Sequence, residues 1–163
     1  MDETHVDVLR DLKSRIKGEV LLPGDAGYVA GCAGFELSVE QHPAVVVMVE
    51  SAQDVVAAVQ FARQHQMGIG IQGTGHGTTL PANDSMLVNT ARMKAVEVFP
   101  ARTTARVEAG VKWKDVAPHV PLGLVPLSGT STGVGVLGYT LGGGHDLFAR
   151  RYGFAANSVL SMS

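Results

Sequence analysis

The first half of the chain shows two different periods of hydrophobic and polar positions. Between residues 4 and 17, apolar side chains recur at three- and four-residue spacings among charges, which predicts an amphipathic helix that stops at Gly18. Residues 22–28 are rich in turn formers and residues 31–42 show no clear period, so we expect both to follow the surface. The unbroken apolar run at residues 44–49 is typical of a strand buried in a parallel or mixed sheet.

A strand, helix, strand unit follows from the next residues. Ser51 predicts a helix N-cap, and Asp54, three residues later, takes the place of the acid of a capping box, so we expect a helix to about Gln66. Residues 67–72 return to a strand pattern and run into a glycine-rich loop. The loop therefore lies at the carboxyl end of a strand, where open α/β sheets commonly bind ligands.

Short strand patterns dominate the region after this loop. They cover residues 86–89, 95–99 and 104–108, and we expect them to form an antiparallel meander. Residues 112–119 predict a short helix that places Trp113 in the core.

The composition is that of a packed globular protein. Hydrophobic residues make up 45% of the 163 residues and charged residues 17%, so we expect a folded chain. The 13 basic and 15 acidic residues give a formal net charge of -2 without a basic stripe, which argues against a nucleic-acid partner. Cys32 is the single cysteine, the histidines are scattered, and no apolar run approaches the roughly 20 residues of a membrane span. We therefore expect a cytoplasmic protein with no metal site and no membrane partner.

Glycine is enriched, with 20 residues that gather mainly in two segments. Glycine loops let the backbone approach a ligand, and their N–H groups can cradle an anion. The first segment is followed by more loop and lacks a Gly-Lys-Ser/Thr ending, which argues against a nicotinamide-type fingerprint and a P-loop. On spacing alone it fits a ligand loop or a flexible connection. The second segment is too rich in glycine to form a stable isolated helix. Contact with a cofactor or close packing of two elements would each offset this cost.

The two segments resemble the cofactor loops of a known family. They are GIQGTGHGTT at residues 70–79 and GTSTGVGVLGYTLGGG at residues 129–144. Their order and separation are similar to those of the vanillyl-alcohol oxidase and p-cresol methylhydroxylase (PCMH) superfamily, in particular its berberine-bridge-enzyme-like FAD-linked oxidases. The resemblance implies an α+β fold, the PCMH-type FAD-binding domain of two small α/β subdomains. It assigns a truncated FAD-binding domain to residues 43–163, after an N-terminal helix and lead-in segment at residues 1–42.

The resemblance also implies a cofactor site for FAD. In such proteins the histidine at the position of His76 is bonded to the 8-methyl carbon of the flavin. An ordinary histidine pKa of roughly 6.5 leaves a neutral imidazole nitrogen available for that bond. From the residues alone, a loop histidine hydrogen-bonded to the backbone is the alternative. The implied cofactor-binding residues are Gln72, Gly73, Thr74, Gly75, His76, Gly77, Thr78, Thr79, Ser128, Gly129, Thr130, Gly133, Val134, Gly135, Gly138, Tyr139, Gly142, Gly143 and Val159.

Three departures from the family pattern carry information. Some relatives attach the flavin a second time through a cysteine where this chain has Ser131, so we expect a single covalent bond or none. Gln72 stands where many relatives have an arginine, which removes a charge near the flavin. Asp146 replaces a glycine beside the expected anion site, which would weaken cofactor binding. Arg150 and Arg151 either face the phosphates or form a solvated surface.

The implied activity is that of a flavin-dependent oxidoreductase. Its flavin accepts a hydride from a carbon that bears an alcohol or amine and is then reoxidised, usually by oxygen. Relatives continue into a substrate domain with the catalytic base, so we expect that domain to be absent here and the isolated chain to be catalytically incomplete. The alternative is a non-catalytic module left by truncation, which binds flavin, another phosphate ligand or nothing. A truncated sheet exposes its edges, so we also expect self-association or a partner chain.

Overall fold

The computed structural model describes residues 10–78 and 80–162. The chain divides into two compact units, Met1–Met93 and Lys94–Ser163. The first contains a four-stranded sheet and the second a two-stranded sheet, each accompanied by short helices. The chain therefore has the mixed α and β structure that the sequence predicts.

The sheet of the first unit is mixed, with strands in the spatial order β1-β2-β4-β3. Its strands are β1 Glu19–Leu21, β2 Val45–Met48, β3 Ile69–Gln72 and β4 Met86–Asn89. The strands β2, β4 and β3 run parallel, and β1 pairs antiparallel to β2. The strands predicted at residues 44–49 and 67–72 are confirmed, each slightly shorter than predicted, whereas β1 was not predicted.

The position of β4 shows that the predicted meander is wrong for residues 86–89. This strand lies between β2 and β3, parallel to both, and all four of its residues are buried. A strand buried on both faces lacks the alternation that marks a strand with one solvated face. The connection from β3 to β4 also has no helix among its described residues, so the usual signal of a parallel crossover is missing.

The described part of the first unit contains three α-helices. They are α1, whose described part is residues 10–15, α2 Tyr28–Cys32 and α3 Ala52–Gln64. The helix predicted before Gly18 is confirmed for its described part, and α2 was not predicted. Helix α3 begins as predicted, because the Ser51 hydroxyl oxygen accepts a hydrogen bond from the backbone N–H of Asp54 at 3.2 Å.

The carboxylate of Asp54 has a larger role than a capping box requires. It is 2% exposed and accepts hydrogen bonds from the backbone N–H groups of Lys17 at 2.9 Å, Gly18 at 3.2 Å and Glu50 at 2.8 Å. Burial alone would raise the pKa of Asp54. The three backbone hydrogen bonds, together with one from the Ser51 side chain to the carboxylate, outweigh burial and lower the pKa below its usual value. Asp54 thus fastens the turn after α1 to the start of α3.

The core of the first unit forms between α1, α3 and one face of the sheet. Its buried hydrophobic residues are Leu12, Ile16, Val20, Val45, Val47, Val49, Ala58, Phe61, Ala62, Met86, Val88 and Met93. A smaller cluster, which includes Tyr28, Val46 and Leu87, covers the other face. The central strands are therefore covered on both sides, as their apolar sequences require.

The described part of the second unit contains one hairpin, three short α-helices and three 3-10 helices. The hairpin strands and α-helices are β5 Val96–Phe99, β6 Thr104–Val107, α4 Trp113–Val116, α5 Val136–Leu141 and α6 Ala149–Tyr152, and the 3-10 helices are Pro100–Arg102, Ala117–His119 and Ala155–Ser158. The strands β5 and β6 pair antiparallel, which confirms this part of the predicted meander. Trp113 is 8% exposed, packs with Val111, Val116 and Val136, and meets the ring of Tyr139 edge-on at 5.6 Å, so its predicted core position is confirmed.

Within the described ranges, no helix has the length and apolar character needed to cross a membrane. The same residues contain no group of three or more histidine, cysteine, aspartate or glutamate side chains that could hold a metal ion.

Candidate functional site

The first glycine loop leaves the carboxyl end of β3, as the sequence predicts. Gln72 closes the strand, and its carbonyl oxygen accepts a hydrogen bond from the backbone N–H of Thr90, at the end of β4, at 2.8 Å. Residues 73–78 form the described part of the loop without regular structure. Thr79, which belongs to the predicted site, lies outside the described residues. The sheet therefore presents this loop at the edge where parallel strands commonly hold ligands.

Two of the neighbours of the His76 imidazole are Thr74, in the same loop, and Phe35, in an earlier segment of the chain. The Nδ1 atom of His76 lies 2.9 Å from the hydroxyl oxygen of Thr74, within hydrogen-bond distance. The ring of Phe35 stacks on the imidazole with a centroid distance of 3.9 Å and an interplanar angle of 9°. His76 itself is half-buried. The sequence analysis identified His76 and Thr74 but missed Phe35, which lies in the segment without a clear period.

Gln72 belongs to a buried pair of side-chain amides. Its Oε1 atom accepts a hydrogen bond from Nε2 of Gln41 at 2.7 Å, and its own Nε2 donates to the carbonyl oxygen of Ala33 at 3.0 Å. Gln41 also donates to the carbonyl oxygen of Cys32 at 2.7 Å. The two glutamines are 5% and 9% exposed. Where many relatives have an arginine, this chain therefore has a neutral glutamine whose amide is hydrogen-bonded to Gln41. Through its bond to Ala33, Gln72 also anchors the segment that contains Ala33.

Replacing Gln72 by leucine is expected to destabilise the fold by about 2 kcal/mol, because the carbonyl of Ala33 and one Nε2 hydrogen of Gln41 lose their partner inside the protein. Thermal unfolding followed by circular dichroism should show a melting temperature lower by about 4–8 °C. Gln60→Leu, at an exposed position of α3, is the matched control and should stay within about 0.5 kcal/mol of the parent chain. Equal effects of the two substitutions would contradict a structural role for the amide pair.

The second glycine segment is tied to the start of α4. The backbone N–H of Trp113 donates to the carbonyl oxygen of Val134 at 3.1 Å, and that of Lys114 donates to Thr132 at 2.9 Å. Gly135, the N-cap of α5, forms a bridge with Lys112. The segment is therefore ordered by backbone pairing rather than by its own helical propensity.

The carboxylate of Asp146, which follows the second glycine segment, forms a hydrogen bond to the backbone of that segment. Asp146 is 5% exposed, and its two carboxylate oxygens accept hydrogen bonds from the backbone N–H groups of Gly129 at 2.8 Å and Phe148 at 2.7 Å. Burial raises the pKa of the Tyr139 hydroxyl, and the negative charge of Asp146 adds to the effect. The hydroxyl of Tyr139 donates to the carbonyl oxygen of His145 at 2.5 Å. The sequence analysis expected a carboxylate beside an anion site, and the structure shows that this carboxylate already engages one backbone N–H of the glycine segment.

Comparison with known proteins identifies the family. A family model described as an FAD binding domain matches residues 43–163. The chain belongs to this family of FAD-binding domains. The FAD-linked oxidoreductase hasG of Aspergillus fumigatus is 33% identical over 156 residues, which cover 93% of this chain and 33% of that protein. The (R)-6-hydroxynicotine oxidase of Paenarthrobacter nicotinovorans is 29% identical over 148 residues, which cover 89% of this chain and 32% of that protein.

Solved structures give the same assignment for the FAD-binding domain. The 6-hydroxy-D-nicotine oxidase of Arthrobacter nicotinovorans matches with a TM-score of 0.81 and 26% identity over 87% of this chain and 32% of that one. The berberine-bridge-enzyme-like protein 1 of Physcomitrella patens matches with a TM-score of 0.80 and 25% identity over 91% of this chain and 34% of that one. The predicted family and the PCMH-type fold are confirmed, and the chain spans about a third of the length of these relatives.

Three glycines of the FAD-binding domain, Gly144, Gly77 and Gly138, test whether the residues fit the cofactor. Gly144 is required by the protein itself, because its φ is +71° and a Cβ there would lie 2.5 Å from Cβ of Ala155. Gly77 and Gly138 have no left-handed φ, and a Cβ on either would meet no described heavy atom within 4 Å. Their missing side chains keep space open beside the backbone, which fits a cofactor held close to the main chain.

Three further side chains of the FAD-binding domain lie at the surface. Arg150 and Arg151 are exposed on α6, and the guanidinium of Arg151 lies 5.3 Å from the ring centre of Tyr152. His145 is exposed and its ring lies 5.7 Å from that of Phe154. These positions favour the interpretation of the arginine pair as a solvated surface.

Proposed function

We propose that this chain is the FAD-binding portion of an oxidoreductase that oxidises a C–O or C–N bond, with the flavin as hydride acceptor. The observation that carries the proposal is the family match over residues 43–163. Similar proteins are named FAD-linked oxidoreductase and (R)-6-hydroxynicotine oxidase, and the latter name points to an amine-bearing substrate in that protein. A cytoplasmic location belongs to the same proposal, and the single cysteine supports it.

The proposal assigns covalent attachment of the flavin to His76. An imidazole nitrogen of His76 would replace one hydrogen of the flavin 8-methyl group, and the imidazole would give up its own N–H proton. The two electrons and two protons released would be taken up by the flavin and passed on to dioxygen. Support comes from the position of His76 on the loop that follows β3 and from two of the side chains that contact its ring.

The proposal assigns a different part of FAD to each of the two glycine segments. Residues 72–79 are assigned to the flavin side through His76, and the second segment, Ser128 to Gly143 with Val159, is assigned to the flavin and the pyrophosphate. Backbone N–H groups of glycine loops suit phosphate oxygens, and the open positions at Gly77 and Gly138 support close approach. When bound, FAD supplies the redox chemistry, and these residues bind and orient it.

The test is flavin retention by the purified chain. The chain is supplied with excess FAD, precipitated with acid, washed and redissolved in denaturant, and its flavin absorption is measured per mole of protein. The proposal predicts flavin that stays with the denatured chain and no turnover of alcohols or amines by the isolated chain. A folded, colourless chain that takes up no FAD would overturn the proposal.

Replacing Gly138 by alanine is expected to separate stability from cofactor binding. Alanine at this position of α5 meets no described atom, so the fold should become more stable by up to about 1 kcal/mol. The added methyl group would enter space proposed for FAD, so the dissociation constant should rise at least about tenfold, which corresponds to about 1.4 kcal/mol. Flavin fluorescence titration measures this in a His76→Ala background, in which binding stays reversible.

Gly144→Ala is the control for this prediction, because it places a methyl group against Ala155 and forces a non-glycine residue to a φ of +71°. It should lower the stability of the fold, whereas Gly138→Ala should not. An unchanged FAD dissociation constant in the stable Gly138→Ala variant would contradict the proposed position of the cofactor.

A further inference from the structure

Strand β3 forms one edge of the sheet in the first unit. The sheet order places β3 beside β4, with no other described strand on its far side. The carbonyl oxygens of Gly68 and Gln72 accept hydrogen bonds of 2.9 and 2.8 Å from backbone N–H groups at the start and just past the end of β4. Because backbone groups alternate in direction along a strand, the N–H and C=O groups of Ile69 and Ile71 point away from β4, toward the open side.

The side chains of Ile69 and Ile71 lie on the face of the sheet that carries α3. In the parallel ladder, Ile69 is the partner of Met86. Ile71 is the partner of Val88, and both β4 residues belong to the core beneath α3. The two isoleucines are nevertheless 39% and 71% exposed. Helix α3 therefore covers β4 and leaves the apolar side chains of β3 uncovered.

One flank of α3 extends this apolar surface. Asp54 faces the turn after α1, which leads into β1 at the opposite edge of the sheet. At about 100° per residue, Val56 and Val59 lie on the flank of α3 that is turned away from Asp54, toward the β3 edge. Both valines are exposed. We call the surface formed by Val56, Val59, Ile69 and Ile71 the β3-edge surface.

The β3 edge lacks the features by which proteins ordinarily prevent edge pairing. Charged side chains, proline, a bulge or a covering element usually block an exposed edge strand. Between residues 64 and 80 the chain contains no Asp, Glu, Lys, Arg or Pro. The ladder of β3 with β4 runs in continuous register over all four residues of β3, without a bulge. The open side of β3 therefore suits an extended strand with apolar side chains.

A second copy of β3 meets these requirements through two-fold symmetry. In an antiparallel pair with Gly70 opposite Gly70 of the other copy, Ile69 of each copy lies opposite Ile71 of the other. These are the residues whose N–H and C=O groups point outward, so the pair of strands forms four hydrogen bonds. A two-fold axis perpendicular to the sheet keeps all four isoleucines on one face, where apolar cross-strand pairs stabilise each other. Such an isologous contact closes after two copies.

We propose that the β3-edge surface is a dimerisation surface, at which β3 pairs antiparallel with β3 of a second copy and the two four-stranded sheets join into one. The inference gives a place to the self-association expected from the sequence, and it does not depend on FAD. One short strand and four side chains per copy make a contact smaller than the roughly 1,200–2,000 Å² of stable complexes. The dimer should therefore be weak, with a dissociation constant on the order of 10–100 µM.

Sedimentation velocity of the full chain measures this association. The chain should be a monomer at about 1 µM and shift reversibly toward a dimer at about 300 µM. Ile71→Lys places a charge on the pairing edge and should raise the dissociation constant at least about tenfold. Val29→Lys is the matched control, because Val29 is exposed on α2, which packs against the opposite face of the sheet, and it should leave the association unchanged. A parent chain that stays monomeric at the highest concentration, or equal effects of the two substitutions, would overturn the proposal.

Amide hydrogen exchange of the parent chain locates the contact without any substitution. In the monomer the N–H groups of Ile69 and Ile71 point to solvent and should exchange fast, whereas those of Gly70 and Gln72 point to β4 and should exchange slowly. Raising the chain concentration to about 300 µM should slow exchange at Ile69 and Ile71 at least about threefold. A dimer in which these two amides still exchange at the monomer rate would assign the association to another surface and overturn the proposal. FAD retention is measured separately, so neither result bears on the proposed function.

Discussion

Replacing His76 by alanine is expected to reduce acid-stable flavin on the chain to background. The imidazole supplies the only nitrogen that the proposal assigns to the bond, and Ser131, at the position of the second attachment cysteine in some relatives, is not expected to replace it. The measurement is flavin absorption of the denatured protein after exposure to excess FAD, together with the mass of the peptide that contains residue 76.

His42→Ala is the matched control for this experiment. His42 is an exposed loop histidine of the same unit, and its loss should leave acid-stable flavin at the parental level. Reversible FAD binding should survive in His76→Ala, because the glycine loop stays intact. Acid-stable flavin in His76→Ala at parental levels would assign the bond to another residue and contradict the covalent part of the proposal.

Replacing Asp54 by alanine is expected to cause a large loss of stability, about 3 kcal/mol. Its carboxylate accepts hydrogen bonds from the N–H groups of Lys17, Gly18 and Glu50, and each donor that loses a buried partner costs about 1–3 kcal/mol before solvent compensates. Chemical denaturation measures the free energy of unfolding. Ser51→Ala, which removes the N-cap acceptor and the Ser51 side-chain hydrogen bond to the Asp54 carboxylate, should cost about 1 kcal/mol. A loss in Asp54→Ala no larger than that in Ser51→Ala would contradict this role.

The lowered pKa of Asp54 also predicts how its contribution to the stability of the fold changes with pH. Because its folded-state pKa lies below the ordinary value of about 3.9, its contribution to stability is present above that value and disappears as the pH falls through the folded-state pKa. The stability difference between the parent chain and Asp54→Ala should therefore be constant near neutral pH and shrink in acid. A difference that grows in acid would have the wrong sign.

Elements of the fold that depend on neighbouring residues could be predicted from the sequence. The apolar run that forms β2, the N-cap at Ser51 and the short strand patterns of β5 and β6 each depend on neighbouring residues, and each prediction is confirmed. The insertion of β4 between β2 and β3 depends on pairing between distant segments, and no local pattern records it. The strand β1 has only three residues, which is too short to show a period.

The candidate site could be predicted only in part. Glycine spacing and the resemblance identified the loop of His76, because those residues are contiguous. Phe35 and Gln41 reach the loop from a segment about 30 to 40 residues earlier in the chain, and neither has a periodic or motif context. For Asp146 the substitution was visible, but its two backbone partners became apparent only in the fold.

The most direct test of the central claim, that this chain binds FAD through its two glycine segments, is an amide NMR titration of the ¹⁵N-labelled full chain with FAD. The account predicts saturable shifts that concentrate on residues 73–78 and 129–144 and leave the body of α3 unchanged. A well-dispersed spectrum that does not respond to excess FAD, or shifts confined to α3, would contradict the account.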